Sequence, residues 1–168
     1  MQFCFSHDFD IDPAGFWEIF FNEEYNQELY RQLNIRSRTV VEQQDDGVCI
    51  RRIQRVEPSV PIPAWAASVI KSTAYTEHNL FYRDRSVMDV RIEPAVMAER
   101  FHLSGVFAVT PLPEGRCRRE FRGELRIAVP LLGPRIEKLM VEQIREAYET
   151  AARLTHQWVK RHKARPSS

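Results

Sequence analysis

The chain has 168 residues, with 24 basic and 23 acidic side chains and a formal net charge of +1. That length fits one domain with a substantial core. The balanced charge gives no support for a nucleic-acid or strongly anionic membrane partner, and no apolar run reaches the ~20 residues of a membrane-spanning helix.

Three cysteines, Cys4, Cys49 and Cys117, are odd in number and scattered. Their spacing matches neither a metal site nor a disulfide framework, so reduced thiols are the default. Met1 to Ser6 lacks the basic and then apolar run of a signal peptide. The expectation is a cytoplasmic protein without cofactor, metal or integral membrane association. The oligomeric state is left open.

Gln2 to Ile11 alternates, with Phe3, Phe5, His7, Phe9 and Ile11 in one phase, as a half-buried strand does. Asp12 and Pro13 then open a helix as N-cap and first helical residue. Asn22 breaks it, and Glu23 to Leu33 reads as a second short helix. Ile35 to Gln43 and Val48 to Glu57 form a hairpin around Asp45-Asp46-Gly47. Pro58 to Pro63 is an irregular connector, and Ala64 to Ile70 reads as a helical turn or buried loop. Four more strands follow over Ala74 to Arg83, Ser86 to Glu93, Arg100 to Thr110 and Arg116 to Val129.

Gly133 and Pro134 start the last element, with Gly133 as N-cap. Apolar residues from Ile136 through Leu139, Met140, Ile144, Tyr148 and Ala151 to Trp158 recur at intervals of three and four. A helix from Pro134 to His162 is about 43 Å long at 1.5 Å per residue. Arg165 to Ser168 reads as a frayed tail. Units 1–163 and 164–168 are therefore expected to be one domain and a flexible tail.

The order strand, helix, helix, six strands, long helix is α+β, with consecutive hairpins implying an antiparallel sheet. Phe101, Leu103, Gly105, Phe107 and Val109 share one face, as do Phe121, Gly123, Leu125 and Ile127. That apolar face needs a cover, and the long helix is the only element that looks large enough.

Several motifs strengthen this reading. A strand ends in Val129-Pro130-Leu131-Leu132-Gly133, and the helix opens with Arg135-Ile136-Glu137. It closes with Leu154-Thr155-His156-Gln157-Trp158. Upstream stand Pro61-Ile62-Pro63 and the pair Thr76-Glu77. These residues resemble the START-like (helix-grip) superfamily, which includes polyketide cyclases and plant pollen-allergen proteins. The nearer resemblance is to a group of uncharacterised bacterial START-like proteins, and it covers most of the chain. It implies a curved sheet of about seven strands wrapped on the long helix, two short helices after strand 1, and a hydrophobic cavity between sheet and helix. The implied partner is a hydrophobic small molecule such as a lipid, sterol or polyketide-like compound. The motifs are structural and carry no catalytic signature.

Polar side chains in the inward phase would orient a ligand. His7 lies among phenylalanines. Glu77 and Asn79 share a phase with Tyr75 and Phe81, and Arg52 and Gln54 with Ile50 and Val56. A buried Glu77 needs an ion-pair partner or a proton, and Arg52 or Arg119 is the expected source of the pair. A structural ion pair is expected ahead of a ligand anchor. His78 and His102 are out of phase and expected outside. Local charge at Arg51-Arg52 and Arg116 to Arg119 reads as a solvated sheet face. Ala147 and Ala151 leave room beneath the helix beside Tyr148, opposite Phe107.

The candidate ligand-binding set is thus His7, Arg52, Glu77, Asn79, Phe107, Arg119, Ala147, Tyr148 and Ala151. A non-enzymatic binder is the leading reading. A small cyclase or aromatase with His7 or Glu77 as base is the second. A regulatory or protein-interaction domain with a vestigial cavity, marked by an apolar patch near Trp65 and Val69, is the third.

Overall fold

A computed structural model describes residues 1–163, with side chains through Arg161. The expected tail, 164–168, lies outside the described residues. Strand β1 (Gln2–Phe9) is followed by helices α1 (Pro13–Phe21) and α2 (Glu23–Gln32). Strands β2 (Ile35–Asp45), β3 (Cys49–Pro58), β4 (Tyr75–Tyr82), β5 (Val87–Pro94), β6 (Phe101–Leu112) and β7 (Arg116–Ile127) come next, and helix α3 (Gly133–Lys163) ends the fold. This is the expected helix-grip α+β arrangement.

Local chemistry sets the boundaries. The Asp12 carboxylate accepts from the Gly15 N–H at 2.8 Å, capping α1 with Pro13 in its first turn. Asn22 ends α1 and caps α2, its side-chain oxygen accepting from the Tyr25 N–H at 2.9 Å. An unpartnered first-turn N–H is what such caps satisfy. Residues 64–70 form turns, with the Ala66 and Ala67 N–H groups donating to the Pro63 carbonyl. Gly133 lies inside the first turn of α3, where a Cβ would fall 2.3 Å from the Ile127 carbonyl oxygen. Glycine is required there by close backbone approach.

The seven strands form one antiparallel sheet in the order β1-β7-β6-β5-β4-β3-β2. Strand β1 therefore closes one edge against β7, with His7 opposite Arg119. Between β6 and β7, Gly105 pairs with Gly123, and a Cβ on Gly105 would meet the Phe121 ring at 2.7 Å. Losing side chains there lets large rings fold over the sheet.

The cover differs from the expected one. Helix α3 packs on β1 and β7, while α1 packs on β6 and β7, and α2 touches β2 and α3. Seven strands at ~4.8 Å spacing make a sheet on the order of 30 Å wide, against ~10 Å for a helix. One helix, long as it is, covers only a strip of that face. The main core joins Phe5, Phe9, Phe16, Trp17, Phe81, Phe107 and Phe121.

Candidate functional site

Alternation along β3 sends Arg51 outward and Arg52 inward, and along β7 it sends Arg118 outward and Arg119 inward. The solvated-face expectation thus holds for the first of each pair and fails for the second. Arg52 and Arg119 are 4% and 3% exposed.

The Arg52 side of the sheet carries a connected polar group. Glu77 Oε1 accepts from Gln54 Nε2 at 3.0 Å and from Asn79 Nδ2 at 2.6 Å. Gln54 also accepts from Arg38 Nε at 2.9 Å and donates to the Tyr30 hydroxyl at 3.3 Å. Arg38 in turn reaches Glu23 at 3.3 Å. The expected Glu77–arginine ion pair does not form among the described residues. Two strands, β5 and β6, separate Glu77 from Arg119. The register places Arg52 opposite Asn79 and Gln54 opposite Glu77, so amides reach the carboxylate first.

Arg52 itself makes no hydrogen bond or ion pair among the described residues. Its guanidinium lies over the Phe20 and Phe21 rings at 5.6 and 5.2 Å. Its Nε and the Asn79 Oδ1 are both buried without a partner. Burial lowers the Arg52 pKa, opposed by Tyr30 and by the Glu77 carboxylate.

At the other end, Arg119 Nη2 donates to His7 Nδ1 at 2.8 Å and to the Tyr148 carbonyl at 3.0 Å. An arginine only donates, so His7 Nδ1 is the acceptor and Nε2–H donates to Glu149 at 3.1 Å. The ring is therefore neutral. Burial lowers its pKa, and the adjacent Arg119 charge lowers it further. Arg119 is surrounded by Phe9, Phe107 and Tyr148.

This geometry fixes a pH dependence. The unfolded chain binds a proton at His7 near pH 6.5, whereas the folded chain does so only at lower pH. Stability from neutral His7 is complete above about 6.5 and is lost as pH falls from there through the lower folded-state pKa. Urea denaturation is expected to show a stability decline from pH 7 to 5.5 that is shallower in His7→Gln. Equal slopes in the two proteins would contradict it.

Between the two groups, side chains from the sheet and α3 pack against the phenylalanine core. Val90, Ile92 and Phe101 on the sheet and Met140, Ile144, Ala147, Tyr148 and Ala151 on α3 are all half-buried. Phe107 is buried instead, packed on Phe16, Trp17, Phe20 and Tyr148. Burial raises the hydroxyl pKa of Tyr30, Tyr75 and Tyr148, and the Glu77 carboxylate adds to each. Yet all three tyrosines retain accessible surface. The Glu77 charge acts on tyrosines from α2, β4 and α3 together.

Two clefts of about 530 Å³ open on the surface of the described residues. One follows the connector after β3, between Arg36 and Thr73. The other runs along β3 to β6 and includes Arg52 and Asn79 among its lining residues.

Sequence reasoning placed the inward phases of Arg52, Gln54, Glu77 and Asn79 together, and β3 and β4 do bring them together. It separated neither His7 nor Arg119 from them, and the sheet does. Arg38 went unnoticed because β2 has two register irregularities that obscure its phase. His78 and His102 lie on the outer face, near Glu93 and Ser104. Trp65 is half-buried under the Arg135 guanidinium, 4.0 Å from its ring centre.

Among the described residues no helix is long and apolar enough to cross a membrane. No curated protein matches the sequence. Solved structures match its fold. A START superfamily protein from Mycobacterium smegmatis is 14% identical, with 95% of this chain and 97% of that one covered and a TM-score of 0.56. The Zhui aromatase/cyclase from Streptomyces sp. R1128 is 13% identical, with 99% and 96% covered and a TM-score of 0.65. A norcoclaurine synthase point mutant from Thalictrum flavum is 14% identical, with 98% and 96% covered and a TM-score of 0.69. At these identities the likeness establishes the START-like fold alone. The family model described as "Protein of unknown function (DUF2505)" matches residues 4–159, and the chain belongs to that family.

Proposed function

We propose that this protein binds an apolar small molecule between α3 and the inner face of β3 to β6. One observation carries the reading. Apolar and tyrosine side chains from the sheet and α3 meet against the core, yet remain only half-buried there. A fold that needed only stability would bury such side chains fully, because interiors normally pack to crystal density. Apolar walls with a few converging polar groups are the usual composition of a ligand site. The lipid, sterol and polyketide-like classes all suit such walls.

Carriage fits better than catalysis. Acid–base chemistry needs a group free to take or give a proton, and both ring nitrogens of His7 already have protein partners. Nothing in the geometry favours His7 as a base.

Native mass spectrometry of the protein as purified from cells tests the proposal. An apolar adduct of one molecule per chain is expected, or formation of a one-to-one complex after incubation with dodecanol. Bare polypeptide in both experiments would overturn it.

A further inference from the structure

The polar end of the site says more about the ligand than its walls do. Arg52 on β3 and Asn79 on β4 are cross-strand neighbours. Each is more than nine-tenths buried. One holds an unused donor, Nε, and the other an unused acceptor, Oδ1. Arg52 forms no hydrogen bond or ion pair among the described residues, and its faces are taken by Phe20 and Phe21. Leaving buried polar groups unpaired is expensive, and native proteins rarely do so without a reason. Here a donor and an acceptor stand side by side.

Charge decides what would satisfy them. The charged groups that act most on Arg52 are Glu77, Arg38 and Glu23. Two arginines and two carboxylates balance. Arg38 is paired with Glu23, so the Arg52 charge is offset by the nearby Glu77 carboxylate, and a ligand bringing a further full negative charge would face that carboxylate. A neutral group that both accepts and donates meets no such penalty.

We propose that the ligand's polar end is uncharged and carries a carbonyl oxygen beside a hydroxyl. The carbonyl accepts from Arg52, and the hydroxyl donates to Asn79 Oδ1. This rests on the apolar-ligand reading above and narrows it to hydroxylated carbonyl compounds. No bond to carbon is made or broken in the binding.

Four probes with the same chain length separate the possibilities by isothermal titration: 1-hydroxydodecan-2-one, dodecan-2-one, dodecan-1-ol and dodecanoate. The hydroxyketone is expected to bind at least tenfold more tightly than each of the others, as two buried hydrogen bonds, one to a charged group, imply. In Arg52→Met, that advantage over dodecan-1-ol is expected to collapse to within about threefold. Arg52→Met removes a side chain with no protein hydrogen bond, so it leaves no partner stranded and folding is retained. Arg52→Lys restores part of the preference by keeping the charge.

Tighter binding of dodecanoate would overturn the neutral-ligand proposal, as would equal affinity for all four probes. Either result leaves the apolar-ligand reading standing. An unchanged preference in Arg52→Met would remove Arg52 from the site. Failure of every probe to bind would overturn both the broader reading and this one.

Discussion

Trp17→Ala lowers the free energy of unfolding by about 3–5 kcal/mol, the range of buried tryptophan and phenylalanine truncations. The Trp17 ring is 6% exposed and lies 4.2 Å from the centre of Phe81 on β4 and 5.5 Å from that of Phe107 on β6. Its indole N–H donates to the Ser86 hydroxyl at 2.7 Å. One side chain thus pins α1 to three parts of the sheet. Removing it opens a cavity and strands the Ser86 acceptor. Urea denaturation followed by far-UV circular dichroism measures the loss without relying on the deleted fluorophore. A change below about 1 kcal/mol would show that α1 is not part of the main core.

Glu77→Leu is the second large expectation, at about 1–3 kcal/mol of lost stability. The reason is not the charge itself. Gln54 is fully buried, Asn79 is 3% exposed, and both donate to the same carboxylate oxygen. An aliphatic replacement leaves two amide donors facing a side chain that accepts nothing. Glu77→Gln keeps a carbonyl acceptor and is expected to lose less than half as much. Equal losses in the two variants would mean that the charge, and not the acceptor, holds the network. Thermal melts at pH 7 distinguish the two cases.

Much of the architecture was legible in the chain because it is written in local chemistry. Asp12-Pro13 and Asn22 mark helix starts by capping, and Asp45-Asp46-Gly47 marks a hairpin by its turn residues. The i, i+3, i+4 spacing from Ile136 to Trp158 marks α3. Strand phase put Arg52, Gln54, Glu77 and Asn79 on one face. What phase cannot give is which strands are neighbours. Strands β5 and β6 separate Arg119, and His7 beside it, from Glu77, and the β3–β4 register that sets Gln54 opposite Glu77 turned an expected ion pair into an amide-bound carboxylate. The role of α1 and α2 as partial cover was likewise hidden, because it depends on sheet width and not on any one helix's sequence.

The central claim is that the space beneath α3 holds a ligand. Ala147 offers the most direct test, since it is half-buried on the helix face that carries Met140, Ile144, Tyr148 and Ala151. Residues three and four apart share that face. The neutral fluorescent probe N-phenyl-1-naphthylamine is titrated into the wild-type chain and into Ala147→Trp. Saturable one-to-one binding to the wild type is expected, with affinity at least tenfold weaker in the variant as the indole fills the space. An unchanged far-UV spectrum shows that the fold is intact. Absence of saturable binding to the wild type, or equal affinity in the two proteins, would contradict the claim.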